Sequence, residues 1–400
     1  GSGNFGGAVL LNNTPVFNKK IEVGIRQDFS SFKNFRTNLS VNVGNEKIQF
    51  SSSSFYQTMK NNFPFYDKYK FDHPLVLNEN NETKQWATVN QLNVKFKKNQ
   101  LLDIGNFTLQ KNHNIPANMG SYGKSNKFQD DFSSKSFVKY QKIFTQSQFY
   151  IRSGYVYDYM LYHDSINKIY APYYTHQSQN SANYRHFFKH QIVLDAGMDY
   201  NVEIAKVEEY KNKIIRHRGA AFAGAKYTLK NIVFNASVRQ EILKAGYIRP
   251  QFGLNISFND KKGFVSTSIS YADKFRLADF NDLYWQPGGN KNLKPENGFT
   301  VEYNLILKPI KKSARYQLII SNAVYYSIIN NNIVWSPIVS GLYSPQNIKK
   351  TRHYGLESKI ENTILWNKTN AFKFSINYNY NHSTIINDET NRSLNGNFIR

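Results

Sequence analysis

No cysteine occurs in this chain of 400 residues, which excludes disulfide staples and thiolate-bound metals and leaves its redox compartment open. Long apolar runs are missing as well. A membrane-crossing helix needs about 20 apolar residues, and the run from Ala8 to Leu11 stops almost as soon as it starts. No positively charged and then apolar leader follows Gly1, so no signal peptide is visible, and the start reads as that of a processed chain or a fragment. Acidic residues are few: 28 against 51 basic ones, a net charge of +23. Such an excess suits nucleic acid when it is gathered into a stripe. Here it is scattered as singles and pairs, as in Lys97-Lys98 and Lys311-Lys312. A solvated surface, or a basic lumen or mouth that draws anionic ligands, accounts for it equally well, and no nucleic-acid partner is expected.

Aromatic residues are plentiful, 16% of the chain and mostly Tyr and Phe, a composition that suits strands and membrane interfaces. Strict two-residue alternation recurs. Phe35, Thr37, Leu39, Val41 and Val43 oppose Arg36, Asn38, Ser40 and Asn42, and Phe372, Phe374, Ile376, Tyr378 and Tyr380 oppose Lys373, Ser375, Asn377 and Asn379. Val265, Thr267, Ile269 and Tyr271 oppose three serines in the same way. Two faces of a sheet therefore meet two different solvents. These segments run about ten or more residues, the length a tilted strand needs to cross a bilayer, where soluble strands usually stop at about five or six.

The connections alternate in length. Tight polar turns are expected at Gly44-Asn45-Glu46, Lys97-Lys98-Asn99, Phe144-Thr145-Gln146, Lys230-Asn231, Asn259 to Lys262 and Lys311-Lys312-Ser313. Long irregular loops are expected at Thr58 to Lys84, Lys111 to Ser134, Lys274 to Gly298 and Asn330 to Thr351. Transmembrane barrels keep tight turns at the periplasmic rim and long loops at the outer one. Tyr155, Tyr157 and Tyr159 at a loop end, Trp86 after a long loop and Trp366 beside a short turn fit two interfacial girdles. The expectation is an all-β, transmembrane antiparallel β-barrel with roughly seventeen strands present. Closure needs an even number, so several strands beyond Arg400 are expected to be missing.

Two segments bear a family likeness. Gly1-Ser2-Gly3-Asn4-Phe5-Gly6-Gly7 has a dinucleotide-type glycine spacing, but no strand precedes it and no helix follows. With Ala8 to Leu11 it resembles the end of the plug domain of TonB-dependent receptors. Phe280 to Glu296 looks like the "L-Y-W-x-x-G-G-N-x-x-L-K-P-E" segment of that family, through Leu283, Tyr284, Trp285, Gly288, Gly289, Asn290, Leu293, Lys294, Pro295 and Glu296. Its Pro287 to Asn290 turn is expected to use positive φ, with Leu293 as an apolar anchor and Pro295 as a helix breaker. Asn114 to Met119 and Asn347 to Glu357 resemble the vitamin B12 receptor-like branch. The resemblance implies that residues 1–14 end a plug and residues 15–400 form a barrel of the family's about 22 strands, truncated at its C-terminus. It also implies TonB-coupled import of a scarce nutrient such as cobalamin, siderophore-iron or haem across the bacterial outer membrane. The partners would be outer-membrane lipid, TonB through the missing N-terminal region, the nutrient and a surface lipoprotein.

Ligand contacts are expected in the long loops, at Phe65, Tyr66, Tyr284 and Trp285, whose aromatic faces could seat a macrocycle. No enzyme chemistry, cofactor or metal is expected. His186 and His190 stand four apart but on a strand end and turn rather than a helix, and the loop carboxylates Asp130-Asp131 and Glu208-Glu209 fall short of a calcium shell. No G-x-S-x-G nucleophile motif occurs. A passive porin or structural outer-membrane barrel, and a soluble β-rich carbohydrate-binding protein, are the competing readings.

Overall fold

The computed structural model describes residues 15–17, 21–121, 123–243, 248–309, 316–339, 341–367 and 370–386. The glycine-rich opening with Gly3, Gly6 and Gly7, and the turn expected at Lys311 to Ser313, lie outside the described residues. Nineteen strands are present among those described: β1 (Ile21–Ser30), β2 (Asn34–Gly44), β3 (Ile48–Met59), β4 (Pro64–Tyr66), β5 (Leu75–Leu77), β6 (Thr83–Lys97), β7 (Gln100–Ile115), β8 (Lys127–Ile143), β9 (Ser147–Asp164), β10 (Ile169–Phe187), β11 (Ile192–Lys206), β12 (Ile214–Leu229), β13 (Ile232–Leu243), β14 (Gln251–Asn259), β15 (Val265–Arg276), β16 (Glu296–Leu307), β17 (Tyr316–Val339), β18 (Leu342–Leu365) and β19 (Ala371–Ile385). β4 and β5 form a small hairpin inside a loop, so seventeen strands are of the long kind, as the alternation predicts. The chain divides into two compact units, Leu11–Tyr184 with Met198–Gly219, and Gly1–Leu10 with Arg185–Gly197 and Ala220–Arg400.

In the first unit β1, β2, β3, β6, β7, β8 and β9 form an antiparallel meander. Side chains alternate along each strand, so the register aligns whole rows. Ile21, Val43, Phe50, Leu92, Ile104 and Val138 form one row, and Gln27, Thr37, Tyr56, Trp86, Gln110, Phe132 and Tyr159 form another on the same face. The opposite face carries Arg26, Asp28, Arg36, Asp103, Lys111, Asp131, Lys139 and Arg152. There the buried Asn93 amide donates to Asp103 at 2.6 Å, which satisfies both groups away from water.

In the second unit β13 to β19 form another antiparallel meander. One row runs Phe234, Ile256, Ile269, Tyr303, Val324, Leu356 and Tyr380. Ile256, Ile269, Tyr303, Val324 and Tyr380 are exposed to the surroundings, which makes sense only if those surroundings are apolar.

Tight turns are closed by short polar side chains, which mimic a backbone turn. Asn45 Oδ1 accepts from the N–H groups of Lys47 and Ile48 at 2.8 and 2.9 Å, and Asn367 Oδ1 accepts from Asn370 N at 2.7 Å. Trp366 stands beside that last turn and is 82% exposed.

Two expected loops are largely strand. β7 continues to Ile115 and β8 begins at Lys127, so only residues 116–126 connect them, and Gln129-Asp130-Asp131 lie in a strand rather than a loop. Asn330 to Thr351 is not irregular: β17 and β18 pair from Tyr316↔Ile364 out to Val339↔Leu342. Pro337 and Pro345 argue for a loop in the sequence, because proline breaks a sheet ladder. They are accommodated because β16 stops pairing at Asn330 and β19 at Thr351, so each hairpin arm has one strand neighbour beyond those points.

Candidate functional site

The loop between β15 and β16 begins and ends with opposite charges. Arg276 closes β15 and Glu296 opens β16, and the guanidinium meets the carboxylate through Nε at 2.6 Å and Nη2 at 2.9 Å. Such a two-pronged contact fits the planar fork of arginine. Glu296 is buried, and its Oε1 also accepts from the Ile333 N–H at 2.7 Å, so a side chain from the loop base holds the backbone of the β17–β18 hairpin.

Between those ends Asp279 starts a short helix, α1 (Phe280–Tyr284). Asp279 and Asp282 form a reciprocal capping box that satisfies N–H groups otherwise left open at a helix start. The second oxygen of Asp282 accepts from Trp335 Nε1 at 2.9 Å, which ties the helix to the hairpin. Gly288 has φ +120°, and a Cβ there would meet the Tyr343 carbonyl. Gly289 is required by crowding instead: a Cβ would sit 2.6 Å from the Trp285 carbonyl. Positive φ is thus confined to Gly288 among Pro287 to Asn290, narrower than the sequence reading expects.

Asn290 donates from Nδ2 to the Pro345 carbonyl at 3.1 Å. Asn347 Oδ1 accepts from Lys294 N at 2.8 Å, while its Nδ2 donates to the carbonyls of Lys294 and Asn331. Leu293 is half-buried and Pro295 lends its carbonyl to Asn331 Nδ2. The recognisable motif therefore forms a clasp that lays the loop along the hairpin. Tyr284 and Trp285 are half-buried within it, with Phe280 6.2 Å from the Tyr284 ring and Lys291 Nζ 5.7 Å from that ring's centre.

Phe65 and Tyr66 lie in the other unit, in the loop between β3 and β6. They sit in the β4–β5 hairpin, where Phe65 faces Val76 and Tyr66 faces Leu75. Asp67, buried, accepts from the N–H of Gly120 with both oxygens at 3.1 and 3.0 Å and from that of Tyr69 at 3.2 Å. That carboxylate joins the hairpin to the loop between β7 and β8. Asn80 adds a second tie, donating to the carbonyls of Ile115 and Lys127.

The two loops enclose a cavity of about 410 Å³, within the size range of small-molecule sites. Phe65, Val76, Leu77, Pro116, Ala117 and Met119 supply its apolar wall, and Asp67, Lys70, Glu79 and Lys124 its charges. Tyr66 is 67% exposed beside it rather than in its lining. The structure thus places Phe65 in a cavity with Pro116 to Met119, the segment singled out in the sequence. The cavity's polar residues Asp67 and Lys70 had no sequence signal beyond the Asp-Lys-Tyr-Lys turn composition.

His186 packs edge-on against Phe188 with ring centres 4.3 Å apart, and His190 sits in the following turn with φ +61°. Asp130 accepts from Asn112, and Glu209 accepts from the Tyr173 hydroxyl at 2.8 Å. His186, Asp130 and Glu209 are each engaged by a neighbour in the sheet or turn.

Comparison with known proteins decides the family. Residues 31–400 match the model described as "TonB dependent receptor-like, beta-barrel". The chain belongs to that family. Its fold class is the transmembrane antiparallel β-barrel, and it is an integral protein of the bacterial outer membrane. The family is one of receptors and transporters.

Among curated proteins, the vitamin B12 transporter BtuB of Vibrio vulnificus is 28% identical over 174 residues, 42% of this chain and 27% of that protein. The siderophore receptor PirA of Pseudomonas aeruginosa has a similar structure, with a TM-score of 0.71 at 12% identity, over 93% of this chain and 70% of that one. The FrpB iron transporter of Neisseria meningitidis, F5-1 variant, gives a TM-score of 0.73 at 10% identity, over 94% and 65%. This chain therefore matches about a quarter of the curated relative's length, and the structural likeness concerns the fold.

Proposed function

We propose that residues 15–400 are the barrel portion of a receptor that imports a scarce nutrient by TonB-coupled active transport, and that residues 1–14 end the plug that precedes it. The single observation that carries this reading is the family match over residues 31–400. The nutrient belongs to the class of cobalamin, siderophore-bound iron or haem, and the similarity to a vitamin B12 transporter favours the first. Phe65, Tyr66, Tyr284 and Trp285 contact it from the outer loops. Phe65 stands foremost, since it already lines a cavity with apolar walls and charged corners. A cavity of about 410 Å³ takes a side group of a macrocycle rather than the whole ring system.

TonB would act through the plug, and a surface lipoprotein would meet the outer loops. No catalysed reaction forms part of this function. The test is uptake of labelled cobalamin, ferric siderophore and haem by cells carrying the full-length receptor, with and without TonB. Accumulation of one of them only when TonB is present is expected. Uptake that ignores TonB would mean a passive porin, and a protein recovered in the soluble fraction would mean a carbohydrate-binding module.

A further inference from the structure

The apolar faces of the two units differ in composition. In the second unit the central row is Phe234, Ile256, Ile269, Tyr303, Val324, Leu356 and Tyr380. In the first unit one row begins with Val23 and Val41 and continues with Ser52, Asn90, Asn106 and Ser136 before Tyr155. The next row outward repeats the change: Ile25 and Leu39, then Ser54, Thr88, Thr108 and Ser134, then Tyr157. Eight hydroxyl and amide side chains on four adjacent strands thus replace the oily surface.

Their height is fixed by the register. Below them lies the row of Phe50, Leu92, Ile104 and Val138, and above them the row of Tyr56, Trp86, Gln110 and Phe132, aromatic on three of the four strands. An aromatic row marks a membrane interface, and strands rise about 3.3 Å per residue along a tilted path. The band therefore falls inside the apolar zone of about 25 Å that a barrel presents to lipid.

Hydrocarbon offers such groups no partner. Among the described residues, side-chain hydrogen bonds join them into two chains. Ser52 donates to Asn90 at 2.8 Å and Asn90 to Thr88 at 3.2 Å. Thr108 donates to Asn106 at 3.0 Å, and Asn106 to Ser136 at 2.9 Å and Ser134 at 3.4 Å. In these bonds Thr88, Ser134 and Ser136 accept, so each of these hydroxyls keeps its own hydrogen to donate.

We propose that this band on β3, β6, β7 and β8 is the seat of a second copy of the same barrel, packed face to face within the bilayer. The occupant follows from the chemistry of the patch. It holds donors and acceptors together and no charge, so it complements itself, as the shared surface of a two-fold dimer must. Lipid tails would leave the hydroxyls unpaired, and a charged partner would find no counter-charge. The apolar row below and the largely aromatic row above would frame the polar centre.

The absence of cysteine in these 400 residues makes the test direct. Single cysteines are placed in the full-length receptor at Ser54, Thr88, Asn106 and Ser136, and at Ile269 and Val324 as sites on the other apolar face. Outer membranes are then treated with a bismaleimide spanning about 10 Å, roughly the spacing of packed sheets. Homodimer from at least one band position, at five-fold or more the yield from Ile269→Cys and Val324→Cys, is expected. A variant combining Asn90→Leu, Asn106→Leu and Ser136→Val should lose the dimer in lipid nanodiscs while the monomer remains folded and heat-modifiable. Equal cross-linking at both faces, cross-linking only to a different protein, or a monomer in nanodiscs for the unaltered receptor would each overturn the proposal.

Discussion

The two outer loops that carry the aromatic candidates are built on opposite principles. Between β15 and β16 nearly every recognisable residue turns inward to fasten the loop: Glu296 to Arg276 and Ile333, Asp282 to Trp335, Asn290 to Pro345, and Lys294 to Asn347. Between β3 and β6 the fastening rests on Asp67 and Asn80, and a cavity is left open against Pro116 to Met119. The difference teaches that the family motif records how a loop is held. The less recognisable loop has the space in which a ligand can be received.

The sharpest way to break this contrast is to remove the buried acid of the clasp. Glu296→Ala strands Arg276, which keeps only Asp279 at 3.2 Å and Asp282 at 3.9 Å as acidic neighbours. Breaking one half of a buried pair costs about 3 kcal/mol or more. Hydrogen exchange should quicken throughout residues 277–295 and leave residues 60–82 unchanged. If both loops loosen together, the clasp is not local to its loop.

Gly288→Ala comes next. The left-handed backbone and the carbonyl of Tyr343 leave no room for a methyl group, and strain of this kind costs about 2 kcal/mol. Limited proteolysis should then cut near Gly288 in the variant alone. Gly263→Ala is the control, because its φ is also positive, +73°, but no atom lies within 4 Å of the added carbon.

For the cavity side the expected loss is in binding rather than stability. Phe65→Ala removes an aromatic wall from the cavity, and a tenfold weaker affinity for the imported nutrient, about 1.4 kcal/mol, is the expected calorimetric result. Trp285→Ala should weaken binding less, since its backbone packs round Gly289 and its ring is half-buried in the clasp. A larger loss at Trp285 than at Phe65 would reverse the roles assigned to the two loops.

How much of this could be read beforehand depends on the range of the interactions. Alternation such as Phe35 to Val43 is local to a strand, and so are turn residues such as Asn45, so strand number and tight turns were legible. The long β17–β18 hairpin was not, because Pro337 and Pro345 look like breakers until one knows that each arm lacks a second neighbour there. Asp130 and Asp131 looked like loop residues because a charge pair seldom sits in a strand, and only the register shows Asn112 and Lys111 opposite them. The aromatic candidates rest on residue type and loop position alone. What surrounds them, such as the tie from Asp67 to Gly120 across 53 positions, has no trace in local sequence.

The smallest effect tests whether the cavity side is held by charge at its far edge. Asp164 ends β9 and accepts from Asn167 Nδ2 at 2.7 Å and from the N–H groups of Asn167 and Ile166 at 3.1 Å, with Lys127 Nζ 3.5 Å away. Those donors, the Asn167 side chain foremost, hold its carboxyl below the ordinary carboxylate range. A depressed value in the folded state means that the contribution is complete above the ordinary range and is lost as pH falls through the lowered one. Lys127 also carries the carbonyl to which Asn80 donates, so protonation of Asp164 should slacken the turn at residues 165–168 and, more weakly, the cavity edge. Protection factors for Ile166 and Asn167 should therefore drop only in strong acid. In Asp164→Asn they should be lower at neutral pH and flat across the acid range. A variant that keeps the full acid response would show that another carboxylate governs this turn.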